Sequence, residues 1–219
     1  MGQLSFFSAE ARQPCVADLA GLLCGPGRAV GFARGRAARI AVPLDERWRG
    51  SALVAALGER NVQARVALVP PPAVEEEPRD PEAVDVTEES EPVEVEPPPD
   101  VWEVATPFRT DLAGLAAQWG EGGAKLVPPD FTLHGGVLRM WALASGRWAE
   151  SGYVLGLDPC APDTHEPLQK ALASSGLPAT LLKSGGPALR VVGRRRLERL
   201  AELVGRAPRG VGERTWPAA

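Results

Sequence analysis

Four residues whose side chains could bind a metal or act in catalysis lie close together near residue 160. Asp158, Cys160, Asp163 and His165 combine two carboxylates, a thiol and an imidazole. Catalysis by a thiol also requires an orienting group and an oxyanion site, and the sequence shows neither. Asp and Pro are common in loops, and Thr164 or Asp163 can cap the helix that follows. We therefore expect an ordinary loop here without a functional site. The alternative is that the protein is a hydrolase that uses Asp158 or Asp163.

Basic residues on the expected strands and turns are candidates for phosphate contacts. Alternation of polar and apolar residues directs Ala64 and Val66 toward the core and Arg65 toward solvent. By the same alternation, Arg190 points to solvent between Leu189 and Val191. Arginine forks onto phosphate and guanine, but an outer face that is merely solvated has the same pattern. The candidates are the basic residues of the strands, their turns and the last helix: Arg34, Arg36, Arg39, Arg65, Lys183, Arg190, Arg194, Arg195 and Arg196.

The net charge of the chain hides two regions of opposite sign. The formal total is −4, but residues 70–100 carry twelve Asp or Glu against the single Arg79, which leaves +7 on the rest. The nine prolines of this segment and its lack of large apolar residues predict a disordered, self-repelling insertion. It is either a solvated loop or, over residues 75–96, an autoinhibitory mimic of DNA that covers the basic body.

Several protein classes are excluded by the composition. The three cysteines, Cys15, Cys24 and Cys160, form no C-x-x-C pair, which argues against a disulfide framework and against a structural zinc site. The first ten residues do not resemble a secretory signal. No stretch approaches the roughly 20 apolar residues that a membrane span needs. We expect a cytoplasmic protein with no membrane span, no cofactor and no metal.

Hydrophobic periodicity predicts a similar order of elements twice along the chain. Each half begins with a short helix rich in small residues and ends with an amphipathic helix. Asn61 and Gly176, which tolerate left-handed backbone angles, end equivalent helices. We expect helices from residue 19 to the turn at Gly25 and over 46–60, 110–119, 138–145, 166–174 and 194–204, and strands over 28–34, 36–44, 63–69, 102–108, 152–157, 179–183 and 188–193.

This repeat predicts one pseudo-symmetric α/β (α+β) body rather than two domains. Residues 1–69 belong to the first half, residues 101–206 complete it and form the second, and residues 207–219 form a flexible tail. The acidic segment 70–100 is then an insertion in a connection between two strands of the first half.

The tryptophans give a further prediction. Trp48, Trp141 and Trp148 lie at or near the expected helices, which indicates core positions. A platform that stacks with single-stranded nucleic acid requires exposed aromatic residues on strands. The sequence predicts no such set.

Two ten-residue segments resemble a known motif. Residues 19–28 read LAGLLCGPGR and residues 138–147 read LRMWALASGR, and both resemble the LAGLIDADG motif of homing endonucleases. The resemblance implies two αββαββα halves with a saddle-shaped mixed sheet, two helices packed at a pseudo-twofold axis, and a concave face that follows the major groove of DNA. It also implies an acidic residue before the last glycine of each copy, where it holds Mg²⁺. Here these positions are Pro26 and Ser145, so we expect no nuclease and no enzyme.

Within this superfamily the chain is similar to the N-terminal region of the WhiA family of bacterial transcription regulators, which act in sporulation and cell division. Residues 138–157, with the pair Gly152–Tyr153, and residues 166–205 carry the similarity. That family continues into a helix-turn-helix, for which the residues after 206 leave no room. The resemblance implies a non-catalytic, DNA-binding or transcription-associated protein whose partners are duplex DNA and a protein of the transcription machinery. An adaptor that kept the fold without binding nucleic acid is the alternative.

Overall fold

The order helix, two strands, helix, two strands, helix occurs twice in the computed structural model, which describes residues 7–69, 101–121, 123–150, 152–212 and 215–217. The first half contains α1 (Ala20–Cys24), β1 (Arg28–Phe32), β2 (Ala37–Leu44), α2 (Arg47–Gly58), β3 (Arg65–Val69), β4 (Val101–Ala105) and α3 (Ala113–Trp119), and the hairpin β5 (Gly120–Glu121) and β6 (Ala124–Lys125) follows it. The second half contains α4 (Gly135–Ser145), β7 (Gly146–Ala149), β8 (Gly152–Gly156), α5 (His165–Ser174), β9 (Thr180–Leu182), β10 (Ala188–Val191) and α6 (Arg194–Val204). Turns of 3₁₀-helix lie at Ala9–Ala11, Val16–Leu19, Thr110–Leu112 and Pro162–Thr164.

Each half forms a four-stranded sheet in which all neighbouring strands are antiparallel. The strand order is β1-β2-β4-β3 in the first sheet and β7-β8-β10-β9 in the second. In the first sheet β3 and β4 pair from Arg65↔Ala105 to Val69↔Val101, so the acidic segment 70–100 joins the ends of two adjacent strands. The predictions made for that segment lie outside the described residues.

The two halves meet where α1 packs against α4. Gly21 of α1 faces the backbone of α4: a methyl group at this position would overlap the Val137 carbonyl oxygen and lie 2.9 Å from Met140 Cβ. The glycine therefore allows two helix backbones to approach closely. Leu22 and Leu138 are fully buried beside this contact.

A single hydrophobic core extends through both halves. Strand residues such as Ile40 and Leu189 contribute to it from the two sheets, and Leu53, Leu168 and Leu200 contribute from helices α2, α5 and α6. The helices therefore cover one face of both sheets. The opposite face is left to the alternate residues of each strand.

The predicted α/β organisation in two αββαββα halves is confirmed, but the strands differ from the prediction in several respects. The short hairpin β5–β6 was not predicted. The expected mixed sheet is instead two antiparallel sheets. Strand β7 was not predicted because it is only four residues long and three of these are exposed. The strand expected over 102–108 ends at Ala105. Within the described part of the chain, no helix is long and apolar enough to cross a membrane.

The tryptophan predictions had mixed outcomes. Trp141 is fully buried in the core and Trp48 is half-buried. The prediction for Trp148 is wrong: it lies on β7, is 38% exposed, and donates its indole N–H to the Trp216 carbonyl oxygen at 3.1 Å. Trp216, from the segment expected to be a flexible tail, is 2% exposed and donates to the Gly205 carbonyl oxygen at 2.8 Å. This part of the tail thus packs on the body.

Candidate nucleic-acid interface

The face of the two sheets that points away from the helices carries the candidate interface, and we call it the open face. Side chains alternate along each strand, and those of Ile40, Val104 and Leu155 lie in the core. The residues between them therefore point to the open face. Arg39 lies between the core residues Ala38 and Ile40, and Arg190 lies between Leu189 and Val191.

All five arginines of the eight strands in these sheets lie on the open face. They are Arg28, Arg39, Arg65, Arg147 and Arg190, and the same strands contain one acidic residue, Glu103. Basic charge is therefore concentrated on the side of the sheets that the core does not use. Such a surface favours an anionic partner.

The strand register aligns four of these arginines in two cross-strand rows. In the first sheet Arg28, Ala41, Ala105 and Arg65 are successive partners. In the second sheet Arg147, Val154, Arg190 and Thr180 are successive partners. With strands about 4.8 Å apart, the two arginines of a row are roughly 14 Å and 10 Å apart. Small residues between the arginines of the first row leave their side chains accessible.

Arg28 and Arg147 occupy equivalent positions in the two halves, and both were missed as candidates. Each directly follows the last glycine of its motif segment, Gly27 or Gly146, and each begins the row of its sheet. This Gly-Arg pair was the signal in the sequence that could have identified them. Arg28 donates to Glu103 at 2.6 Å across the open face, so the one acidic strand residue is already neutralised.

The other predicted contacts fall into two groups away from the strands. Arg34 and Arg36 lie in the turn between β1 and β2, and Lys183 is exposed after β9. Arg194, Arg195 and Arg196 are exposed at the start of α6, a helix that packs on the core side. Arg39, Arg65 and Arg190 are therefore the predicted residues that share the open face, and the role of each remains a prediction.

The two positions where the motif would carry acids lie together near the middle of the molecule. Pro26 and Ser145 line a cleft of about 230 Å³, and Asp45 is the one acidic residue among its described lining. The Ser145 hydroxyl donates to the Gly156 carbonyl oxygen at 3.1 Å, and Asp45 accepts from Arg49 Nε at 2.6 Å. No cluster of three or more potential metal-binding side chains occurs in the described ranges.

A cation binds the carboxyl end of each motif helix: Lys125, which is partly buried, at α1 and Arg49, which is fully buried, at α4. Lys125 Nζ donates to the carbonyl oxygens of Gly25 at 2.7 Å and Gly27 at 2.8 Å, just after α1. Arg49 donates to the carbonyl oxygens of Leu143 at 3.0 Å and Gly146 at 2.7 Å, at the end of α4. Positive charge is favourable at this end of a helix. Burial lowers the pKa of Lys125, and its ion pair with Asp158 opposes that effect.

The residues of the loop near position 160 are held by local contacts. Asp158 accepts from Lys125 Nζ at 2.9 Å, its second carboxylate oxygen accepts from the Cys160 backbone N–H, and its carbonyl oxygen accepts from His165 Nε2 at 2.8 Å. Thr164, one of the two predicted caps, occupies the N-cap position of α5, but its hydroxyl donates to the Ala161 carbonyl oxygen and makes no cap hydrogen bond. The loop borders a cleft of about 610 Å³ without bringing a nucleophile to a base.

An exposed aromatic pair, which the sequence analysis did not expect, lies at one end of the open face. Phe32 ends β1 and is 58% exposed, and Phe108 follows β4 and is 43% exposed. Their ring centroids are 4.9 Å apart, and the Arg39 guanidinium lies 5.2 Å from the centre of the Phe108 ring. The prediction failed because the two residues are 76 positions apart and only strand pairing brings them together.

Comparison with known proteins finds similarity in fold to solved structures. No family model and no curated protein matches the chain. Among solved structures it is similar to that of the homing endonuclease I-WcaI bound to its DNA recognition sequence, with a TM-score of 0.56 and 16% sequence identity. The match covers 93% of this chain and 83% of that one. At this identity the similarity shows the fold, so this chain has a homing-endonuclease-like fold.

Proposed function

We propose that this protein binds duplex DNA across the open face of its two sheets without cutting it, in a role tied to transcription. The observation that carries the proposal is the segregation of charge on the strands. All five strand arginines share the open face, and the one acidic strand residue on it is paired with Arg28. Because strand residues alternate between two faces, the positive charge of the strands lies on the surface opposite the core and not on the core side.

The spacing of the arginine rows suits a duplex. The major groove of B-DNA is about 12 Å wide and is bordered by phosphates, and the arginines of each row are separated by roughly 10 to 14 Å. The guanidinium group of arginine donates two parallel hydrogen bonds to a phosphate group, and it can donate two in the same way to the edge of guanine. The similarity in fold to I-WcaI, whose structure is that of a complex with DNA, supports DNA as the partner.

The central cleft supports binding without hydrolysis. Phosphodiester cleavage with Mg²⁺ needs carboxylates that hold the ion beside the scissile phosphate. Pro26 and Ser145 have no charge to offer, and the Asp45 carboxylate is paired with Arg49. The residues at this position therefore do not fit the metal that a homing-endonuclease fold implies. The resemblance of the sequence to the WhiA family supports a role in transcription for a protein of this fold that does not cut DNA.

Fluorescence anisotropy with a labelled random-sequence duplex tests the proposal. The affinity of the wild-type chain should fall steeply between about 50 and 300 mM salt, because each neutralised phosphate contributes about −0.9 to the slope of log K against log salt. A variant with Arg39, Arg65 and Arg190 changed to alanine should bind about tenfold more weakly or worse and with a shallower slope.

A control variant with the same loss of charge separates the open face from the rest of the surface. Lys170, Arg199 and Arg209 lie on or beyond the helices of the core side, and changing them to alanine should leave affinity within about threefold of wild type. Equal weakening in both variants would show that net charge alone drives binding. No binding by the wild-type chain at the lowest salt would refute DNA binding and favour the adaptor alternative.

A supercoiled plasmid incubated with the protein and Mg²⁺ or Mn²⁺ tests the absence of cleavage. We expect the plasmid to remain supercoiled while the anisotropy assay detects binding. Nicking that disappears when Asp45 is changed to asparagine would contradict the proposal, because it would show that a metal-dependent centre exists at the cleft.

A further inference from the structure

The end of the open face farthest from the central cleft is shaped by an irregularity in strand pairing. Ala41 pairs with Ala105, whereas three residues earlier on β2 Ala38 pairs with Arg109, through hydrogen bonds of 2.8 and 2.9 Å in both directions. Two residues on one strand thus lie opposite three on the other, which defines a β-bulge. The Thr106 hydroxyl accepts the Ile40 N–H at 3.0 Å inside it.

The bulge determines which way Phe108 points. Without an extra residue, the odd-numbered residues of this strand would continue to face away from the core, as Glu103 and Ala105 do. One inserted residue reverses the alternation, and bulges are known to redirect side chains in this way. The Phe108 ring consequently joins Phe32 and Arg39 on the open face.

The turn beside this aromatic pair is strained and basic. Ala33, Arg34 and Gly35 have φ angles of 54°, 59° and 79°, and non-glycine residues in this region cost free energy unless the surroundings impose it. Arg36 Nε donates to the Ala33 carbonyl oxygen at 3.1 Å and holds the turn. Residues 30–39 and 105–109 contain no acidic residue, and Arg109 beside Phe108 is paired with Asp111 at 2.6 Å. Arg34, Arg36 and Arg39 therefore give the surroundings of the rings an excess of positive charge.

Two exposed aromatic rings among arginines match the chemistry of an unpaired nucleobase. Bases stack on aromatic side chains independently of sequence, and neighbouring cations bind the phosphates. A base within a duplex has both faces covered by its neighbours, so it cannot stack on a protein ring without leaving the helix. β1 begins beside the central cleft at Arg28 and ends at Phe32, which places the rings where a duplex bound over the cleft would leave the sheet.

We propose that Phe32, Phe108 and Arg39 form a stacking site for an unpaired base of DNA, so that the protein prefers duplexes with a single-stranded extension. The inference rests on the proposed binding of duplex DNA to the open face. The stacking site would make the protein select DNA that has a single-stranded end or a locally opened base pair.

Competition anisotropy with three DNA probes tests the stacking site: a blunt duplex, the same duplex with a short 3′ or 5′ extension of thymidines, and the extension alone. The wild-type chain should bind the extended duplex about tenfold more tightly than the blunt one, the scale expected for stacking of one base. The Phe32→Ala/Phe108→Ala variant should lose this preference and keep its affinity for the blunt duplex. Both rings are exposed and lie outside the hydrophobic core, so the variant should fold, and circular dichroism verifies this.

Two further variants control for aromatic surface in general. Phe7→Ala removes a ring that is 61% exposed beside the amino end of α4, and it should leave the preference unchanged. Phe32→Tyr/Phe108→Tyr retains both ring faces and should keep the preference. Loss of the preference in either control would overturn the stacking site.

The results distinguish this inference from the proposed function. Binding of the blunt duplex without any preference for an extension refutes the stacking site and leaves the proposed function standing. Binding of the thymidine extension but not of the blunt duplex refutes the proposed function and supports the stacking site. Self-association of the chain in sedimentation that the Phe32→Ala/Phe108→Ala variant abolishes would assign the rings to a contact between two copies and overturn the inference.

Discussion

Replacement of Gly21 by alanine tests whether close packing of α1 on α4 holds the two halves together. A methyl group at Gly21 would overlap the Val137 carbonyl oxygen and lie 2.8 Å from Trp141 N and 2.9 Å from Met140 Cβ, whereas ordinary contacts begin at 3.4 Å. Two of these three atoms belong to the backbone of α4 and cannot rotate away. The helices must therefore separate.

The expected loss of stability follows from this separation. A gap of ~0.5–1 Å removes a quarter to a half of the attraction between each pair of facing atoms, and overpacked cores lose about 1–3 kcal/mol. We expect the upper end, about 3 kcal/mol, because backbone atoms are involved. Alanine recovers about 1 kcal/mol through its helix propensity. The net loss of about 2 kcal/mol corresponds to a melting temperature lower by roughly 4–8 °C.

Thermal unfolding followed by circular dichroism measures this effect, and Gly114→Ala is the matched control. Gly114 lies within α3, and a methyl group there would contact nothing within 4 Å. The control should therefore gain up to about 1 kcal/mol. A melting temperature of Gly21→Ala equal to or above that of wild type would refute the close packing, provided that Gly114→Ala shows its expected increase.

Three further predictions concern other parts of the molecule. Arg49→Met leaves the carbonyl oxygens of Leu143 and Gly146 at the end of α4 without their donor. The free energy of unfolding, measured with urea, should fall by about 2–4 kcal/mol. An unchanged urea midpoint would contradict a stabilising role for this cation. Replacement of residues 70–100 by Asn-Gly should preserve cooperative unfolding, since Val69 and Val101 are strand partners that a two-residue turn can join; if the segment mimics DNA, the same variant binds DNA more tightly. Burial lowers the pKa of His134 below its usual 6.5, so between the two pKa values the unfolded chain binds a proton that the folded chain does not. The free energy of unfolding should therefore fall as the pH drops below 6.5, and His134→Asn should reduce that fall. Parallel pH profiles of the wild type and the variant would show that His134 does not cause it.

The sequence by itself determined the helices, most of the strands and their order, because these depend on local periodicity. The short strands β5, β6 and β7 have too few residues to show it. Helix α6 matches its predicted range, and α2 and α5 differ by one or two residues at their ends. The paired motif segments indicated which two helices meet at the centre, and the small residue Gly21 provides the close approach that this packing needs. Each helix and each motif segment is carried by residues that are near each other along the chain, and the similarity of the two segments to one motif related them across more than a hundred residues.

Tertiary structure decided which residues share the candidate site, because that depends on the register between distant strands. Arg28 and Arg65 became members of one row only through the pairing of β1, β2, β4 and β3. The bulge opposite β2 reversed the direction of Phe108, and a single inserted residue of this kind has no periodic signal in the sequence. Arg194–Arg196, the densest basic run, lies instead at the start of a helix on the core side. Alternation along a strand assigns a residue to one of two faces, but only the packed structure shows which face remains open and what lies beside it.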